Sequence, residues 1–132
     1  DVRPHPHIGL STLTYLFSGQ VCHRDSIGSS IIISPGDVNL MISGRGITHS
    51  ERKPINIKFP YKLFGIQCWL ALPKSSETMN PEFHNYRKEE IPSVISNNYS
   101  INIILGSAFG KKSPLKNISN GIFPRCFLLV FH

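Results

Sequence analysis

Little in this chain of 132 residues suits a secreted, membrane-spanning or nucleotide-binding protein. Its three cysteines, Cys22, Cys68 and Cys126, are an odd number at wide spacing, with neither a paired framework nor a C-x-x-C zinc or redox motif. A reducing cytoplasm is the expected location. Long apolar runs are also missing: the longest unbroken one, Cys126 to Phe131, falls far short of the roughly 20 residues that cross a bilayer. A membrane role is not expected. The chain opens with neither a basic, apolar leader nor an initiator Met, which reads as a trimmed or partial product. No nucleophile motif is present, no glycine-rich phosphate loop joins a strand to a helix, and Gly44-Arg45-Gly46 lacks the third glycine of a dinucleotide fingerprint.

Acidic residues are scarce, eight against 14 Lys and Arg, for a net charge of +6. That balance raises the question of nucleic acid, but its distribution answers against it. Residues 1–51 hold three Arg and four acids, so the basic excess lies in 52–132, away from the segment richest in histidine. The charge reads as solubility, and no direct nucleic-acid contact is expected.

Ten Gly and ten Pro argue against a helical bundle, because both interrupt helices and punctuate turns. The expected class is all-β. Ile8 to Phe17 and Gln20 to Arg24 read as a hairpin about Ser18-Gly19. Ile31 to Ile33, Val38 to Ile42 and Ile47 to Arg52 follow, separated by Pro35-Gly36-Asp37 and Ser43-Gly44-Arg45-Gly46. Phe64 to Leu72 is apolar on both faces and is expected to be central. Pro73 to Pro92 reads as a long polar excursion with a helical turn near Tyr86 to Glu90, and Ser100 to Leu105 as a second buried strand. Strands recurring at this spacing suit a sandwich or barrel.

Chemistry is suggested by two short repeats. Alternate residues of a strand share a face, so His5 and His7 of His5-Pro6-His7 present two imidazoles on one side, and His49-Ser50-Glu51 repeats the device. Either pair alone reads more readily as exposed strand-end residues. Together, facing one another across the inside of a small barrel, they would bring three imidazoles and one carboxylate to a point. Such a set suits a divalent transition metal: iron, manganese, nickel or zinc. Pro6 supports a special position, since it removes a ladder donor. His23, His84 and His132 have no matching partner and read as surface or hydrogen-bonded histidines, and Asp37 reads as a turn cap.

The motifs His5-Pro6-His7-Ile8-Gly9, Thr14-Tyr15-Leu16-Phe17, His23-Arg24-Asp25-Ser26-Ile27-Gly28, Pro35-Gly36-Asp37 and Gly44-Arg45-Gly46-Ile47-Thr48-His49-Ser50-Glu51 resemble, in order, the pirin family of the cupin superfamily. The resemblance continues through Gly65 to Pro73, Pro81 to Tyr86, Gly106 to Gly110 and Ser113-Pro114, covering residues 1–115. It implies a jelly-roll β-barrel with one metal, usually iron(II), on His5, His7, His49 and Glu51. It also implies either of two roles: oxygenation of a flavonol such as quercetin by O2, with Glu51 as the catalytic base, or metal-dependent co-regulation of transcription through a protein partner.

Departures from the family pattern set further expectations. Leu40, where a bulkier residue is usual, is expected to reshape a pocket wall. The family has two barrels and further strands ahead of the first histidine pair, so the expected fold is a single, incomplete barrel over 1–115 with a divergent tail over 116–132. On that footing an inactive remnant is a third reading. Cys126 to Phe131 would be an aggregation hazard unless it substitutes for a lost strand.

Overall fold

In the computed structural model, residues 1–58 and 60–116 are described, together with the backbone of Leu128–Phe131. Every regular element among them is a β-strand except two short 3-10 turns, so the expected all-β class holds. Two compact units are present, Asp1–Asn85 and Tyr86–His132.

The first unit is a double sheet. One layer contains β1 (Val2–His7), β3 (Val21–Asp25), β4 (Ser30–Ile33) and β6 (Ile47–Arg52) in the order β1-β6-β3-β4; the other contains β2 (Leu10–Ser18), β5 (Val38–Ile42), β7 (Phe64–Ala71) and β8 (Glu82–Tyr86) in the order β7-β2-β5-β8. Ring contacts between the layers, His7 to Trp69 and His23 to Phe83, show that they face each other. This is the two-layer jelly-roll arrangement. Burial is most continuous along β2 and β5, where Leu13, Tyr15, Val38, Leu40 and Ile42 are buried.

Successive strands mostly alternate between layers, which corrects two expectations. Ile8 to Phe17 and Gln20 to Arg24 do not form a hairpin: β2 and β3 lie in different sheets, and Ser18-Gly19 is a crossover. A short turn with a glycine looks the same in sequence whether it reverses a chain within a sheet or carries it to the opposite one. Phe64 to Leu72 is not central either. β7 stands at the edge of its sheet, with Phe64 and Trp69 exposed at 62% and 64%. Apolar residues on both faces report what lies above and below a strand, not what lies beside it.

The turns behave as their composition requires. Gly36, after Pro35, has φ 89°, and Asp37 caps the turn by accepting the Ser34 N–H at 3.1 Å. Gly44 has φ 49°, and a Cβ there would overlap the Met79 carbonyl oxygen. No other residue fits that close approach.

The polar excursion hides a strand. β8 packs Phe83 on His23 and donates the Asn85 side-chain amide to Oδ1 of Asn39 at 2.6 Å, so its inward positions are half polar and escape a hydropathy reading. The expected helical turn nearby is the 3-10 turn Lys88–Glu90.

In the second unit, β9 (Ser93–Ile95) and β13 (Leu128–Phe131) flank β10 (Ser100–Leu105), both antiparallel to it, while β11 (Ser107–Ala108) pairs with β12 (Lys111–Lys112). Ile101, Ile103 and Ile104 bury β10 as expected. The backbone of Leu128–Phe131 is paired, while Cys126 lies outside the described residues.

Candidate metal centre

Three adjacent strands build the site. β1 and β6 do not face each other across a barrel, as the spacing alone suggested. They are hydrogen-bonded neighbours, with His5 directly opposite His49. On the far side of β6, β3 places His23 opposite Glu51 and Asp25 opposite His49. Cross-strand partners share a face, and so do alternate residues. His5 and His7, His49 and Glu51, and His23 and Asp25 therefore all stand on the inner face of one sheet. From the opposing sheet, Trp69 meets His7 edge-on at 5.0 Å and Gln67 donates to both Glu51 carboxylate oxygens at 3.1 and 3.2 Å.

The donors form two overlapping groups among the described residues. Ring nitrogens of His5, His7 and His49 lie within 4.8 Å of one another, and so do donor atoms of His23, His49 and Glu51. His49 belongs to both. The four residues singled out in sequence thus come to one face, with His7 and Glu51 on opposite sides of the His5–His49 pair. The structure adds His23, whose spacing to Asp25 in His23-Arg24-Asp25 repeats the i, i+2 device of the other two motifs. His84 bonds Glu82 at 2.7 Å, in keeping with a hydrogen-bonded histidine, and His132 lies outside the described residues.

Several features fit a cation. His5 Nδ1 donates to the Arg3 carbonyl at 2.8 Å, which leaves its Nε2 bare in the neutral ring. His49 Nε2 stands 3.1 Å from that atom. Two ligands about 2.1 Å from one ion are separated by such a distance when the angle between them is near 90°. His7 Nε2 is buried and has no hydrogen-bond partner, an expense that a bound ion would remove.

Electrostatics keep the His7 and His49 rings in the metal-binding form. Burial first, then the neighbouring His23, His5 and His7, push His49 down to about 4, with Asp25 opposing. Burial and His5 likewise lower His7, against a smaller opposing effect of Glu51. Neutral imidazoles at pH 7 follow, and metal binding needs them deprotonated. Burial alone would raise the Asp25 carboxyl, but hydrogen bonds from His23 and Ser29 outweigh it and hold the group below its usual range.

Leu40 does not shape this site. Thr14, Asn39 and Gln67 are in register and Gln67 reaches Glu51, so the intervening Leu13, Leu40 and Cys68 occupy the opposite face of their sheet. Beside Glu51 opens a cavity of about 320 Å³ lined by Thr14, Leu16, Tyr61, Ile66 and Gln67 among others. Cys22 and Cys68 are free thiols, and no helix among the described residues is long and apolar enough to cross a membrane.

Comparison with known proteins gives a consistent result. Residues 1–70 match the sequence profile of the family described as Pirin. A pirin-like protein of Caulobacter vibrioides is 49% identical over 114 residues, which cover 86% of this chain and 40% of that protein. Pirin of Homo sapiens is 34% identical over 110 residues, 83% of this chain and 37% of that one. The crystal structure of a quercetin 2,3-dioxygenase from Acinetobacter baumannii superposes with a TM-score of 0.79 at 36% identity, covering 86% of this chain and 36% of the enzyme. The chain spans about two-fifths of the length of the curated relatives it matches.

Proposed function

The chain belongs to the pirin family, and from that membership we propose that its inner histidine face is a mononuclear metal centre held by His5, His7, His49 and Glu51. The observation that carries this reading is the buried, partnerless His7 Nε2 beside the 3.1 Å approach of His5 Nε2 and His49 Nε2. Nitrogen donors packed so closely without a cation are costly.

We further propose that the reaction is dioxygenation of a flavonol of the quercetin type, as the name of the Acinetobacter baumannii enzyme suggests. A bound divalent ion, iron(II) first and manganese, nickel or zinc as substitutes, would supply Lewis acidity and, for iron, redox chemistry toward O2. The chain's own residues do the rest. The cavity beside Glu51 has an apolar wall, Leu16 and Ile66, against which a flat aromatic ligand can lie. Glu51 accepts the proton of the flavonol hydroxyl as general base. Gln67 fixes the orientation of that carboxylate, and Trp69, bonded through its indole N–H to Gln67 at 3.3 Å, braces the amide.

The test is elemental analysis of the purified chain, followed by quercetin turnover measured as O2 uptake together with loss of flavonol absorbance. One equivalent of metal and metal-dependent turnover are expected. Absence of bound metal after incubation with each of the four ions would refute the centre. A full metal complement without O2 uptake would refute the oxygenase role and favour the regulator that acts through a protein partner.

A further inference from the structure

Three strands contribute to the inner face, but the four residues assigned to the metal lie on only two of them. The third carries His23 and Asp25, whose side chains are 3% and 0% exposed. Asp25 is fixed from one side, where its Oδ1 accepts the backbone N–H of Ile27 at 3.1 Å and of Ser29 at 2.9 Å. Its Oδ2 lies 3.0 Å from His23 Nε2. The other nitrogen of His23, Nδ1, faces Nδ1 of His49 at 3.5 Å. Phe83 stacks on the His23 ring at a centroid distance of 4.1 Å and 14° between planes, so the ring cannot easily turn.

With both imidazoles neutral, proton counting along this row has one solution. An ionised carboxylate only accepts, so the proton between Asp25 and His23 sits on His23 Nε2. A neutral imidazole has a single N–H, which makes His23 Nδ1 an acceptor. His49 Nδ1 opposite it must then donate, and His49 Nε2 is left with a bare lone pair. That bare atom is the one turned toward His5 Nε2.

We propose, resting on the metal-centre reading above, that His23 is a positioning residue: it selects the tautomer of His49 that can ligate the ion, and Asp25 selects the tautomer of His23. The row Asp25, His23, His49 is a carboxylate–histidine relay with one imidazole more than the usual carboxylate–histidine–metal arrangement. His23 itself stays off the metal. Its ligand-like proximity to His49 and Glu51 reflects this hydrogen bond and the cross-strand register.

The isosteric change Asp25→Asn separates this role from simple packing. The new amide would keep its oxygen on the Ile27 and Ser29 N–H groups and turn its NH2 toward His23 Nε2. His23 would then carry its proton on Nδ1, His49 would be forced to protonate Nε2, and the lone pair needed by the metal would be lost. His23→Phe removes the acceptor while retaining a ring against Phe83.

The experiment uses the full 15N-labelled chain at pH 8, metal-free and with Zn(II) as probe. Imidazole protons are located by long-range 15N–1H correlation, and zinc affinity is measured by competition with a chelator of known strength. In the wild type the His49 proton is expected on Nδ1 and the His23 proton on Nε2. Asp25→Asn should move both protons to the other nitrogens, and each variant should bind zinc about 10- to 100-fold more weakly. The inference is overturned if wild-type His49 carries its proton on Nε2, if His23 nitrogens shift as direct zinc ligands, or if both variants bind like the wild type. Wild type that takes up zinc while the variants are indifferent to the substitutions sinks this inference alone; wild type that takes up no zinc sinks the metal centre and this relay together.

Discussion

Acid should destabilise the metal-free protein in a particular pH window, and His49 sets it. The unfolded chain protonates this imidazole near its ordinary 6.5, whereas the folded protein does so only at about 4. Between those values the unfolded state holds more protons, so stability falls as pH falls from 6.5 to 4 and does not fall further on this account below 4. Fully developed, the difference is worth about 3 kcal/mol. Solvent reaching the half-exposed rim at His5 and Glu51 screens part of it and leaves about 2 kcal/mol. His7, lowered in the same direction, adds to the slope. The assay is urea unfolding in the presence of a chelator, at half-unit steps from pH 4 to 8, for the wild type and for His49→Asn. The variant should show a shallower loss between pH 6.5 and 4, since the group that must stay neutral is gone. Equal slopes for the two proteins, or a wild-type midpoint that does not move between pH 7 and 5, would refute the argument.

Metal addition should raise stability at pH 7 and do so progressively less toward pH 5, as protons compete for the same nitrogens; at free metal 100 times Kd the gain is about 2.7 kcal/mol, readable as a shift in Tm. Glu51→Gln keeps a hydrogen-bonding side chain of the same shape opposite Gln67 but removes the base. It should lower quercetin turnover by about 100-fold or more, and turnover at the wild-type rate would exclude Glu51 as the proton acceptor. Gly44→Ala combines a φ of 49° with a Cβ that meets the Met79 carbonyl oxygen. It should cost about 1 to 3 kcal/mol, seen as a lower Tm with metal stoichiometry unchanged in the protein that remains folded.

The parts of the fold that could be read from the sequence are those governed by local chemistry. Strand positions follow from alternation and from turn residues, so β3 to β6 and β10 lie close to where composition places them. Layer assignment does not follow, because a crossover and a hairpin can use the same short glycine turn, as Ser18-Gly19 shows. β8 was invisible for a related reason. Its inward residues are matched to polar partners, Asn85 to Asn39 and Phe83 to a histidine ring, and a strand whose inward side is half polar carries little hydropathic signature.

The site divides in the same way. His5, His7, His49 and Glu51 announce themselves because two residues on one face of one strand are visible as an i, i+2 pair. What a sequence does not contain is which pairs become neighbours. One register of β6, with β1, sets His5 opposite His49; another, with β3, sets Asp25 opposite His49 and His23 opposite Glu51, and only that second pairing turns His23-Arg24-Asp25 from a buried hydrogen bond into part of the site. A third i, i+2 motif on the strand beside β6 thus has a consequence the first two lack. It supplies no donor to the pocket, yet it decides which nitrogen of the shared histidine is free to be one.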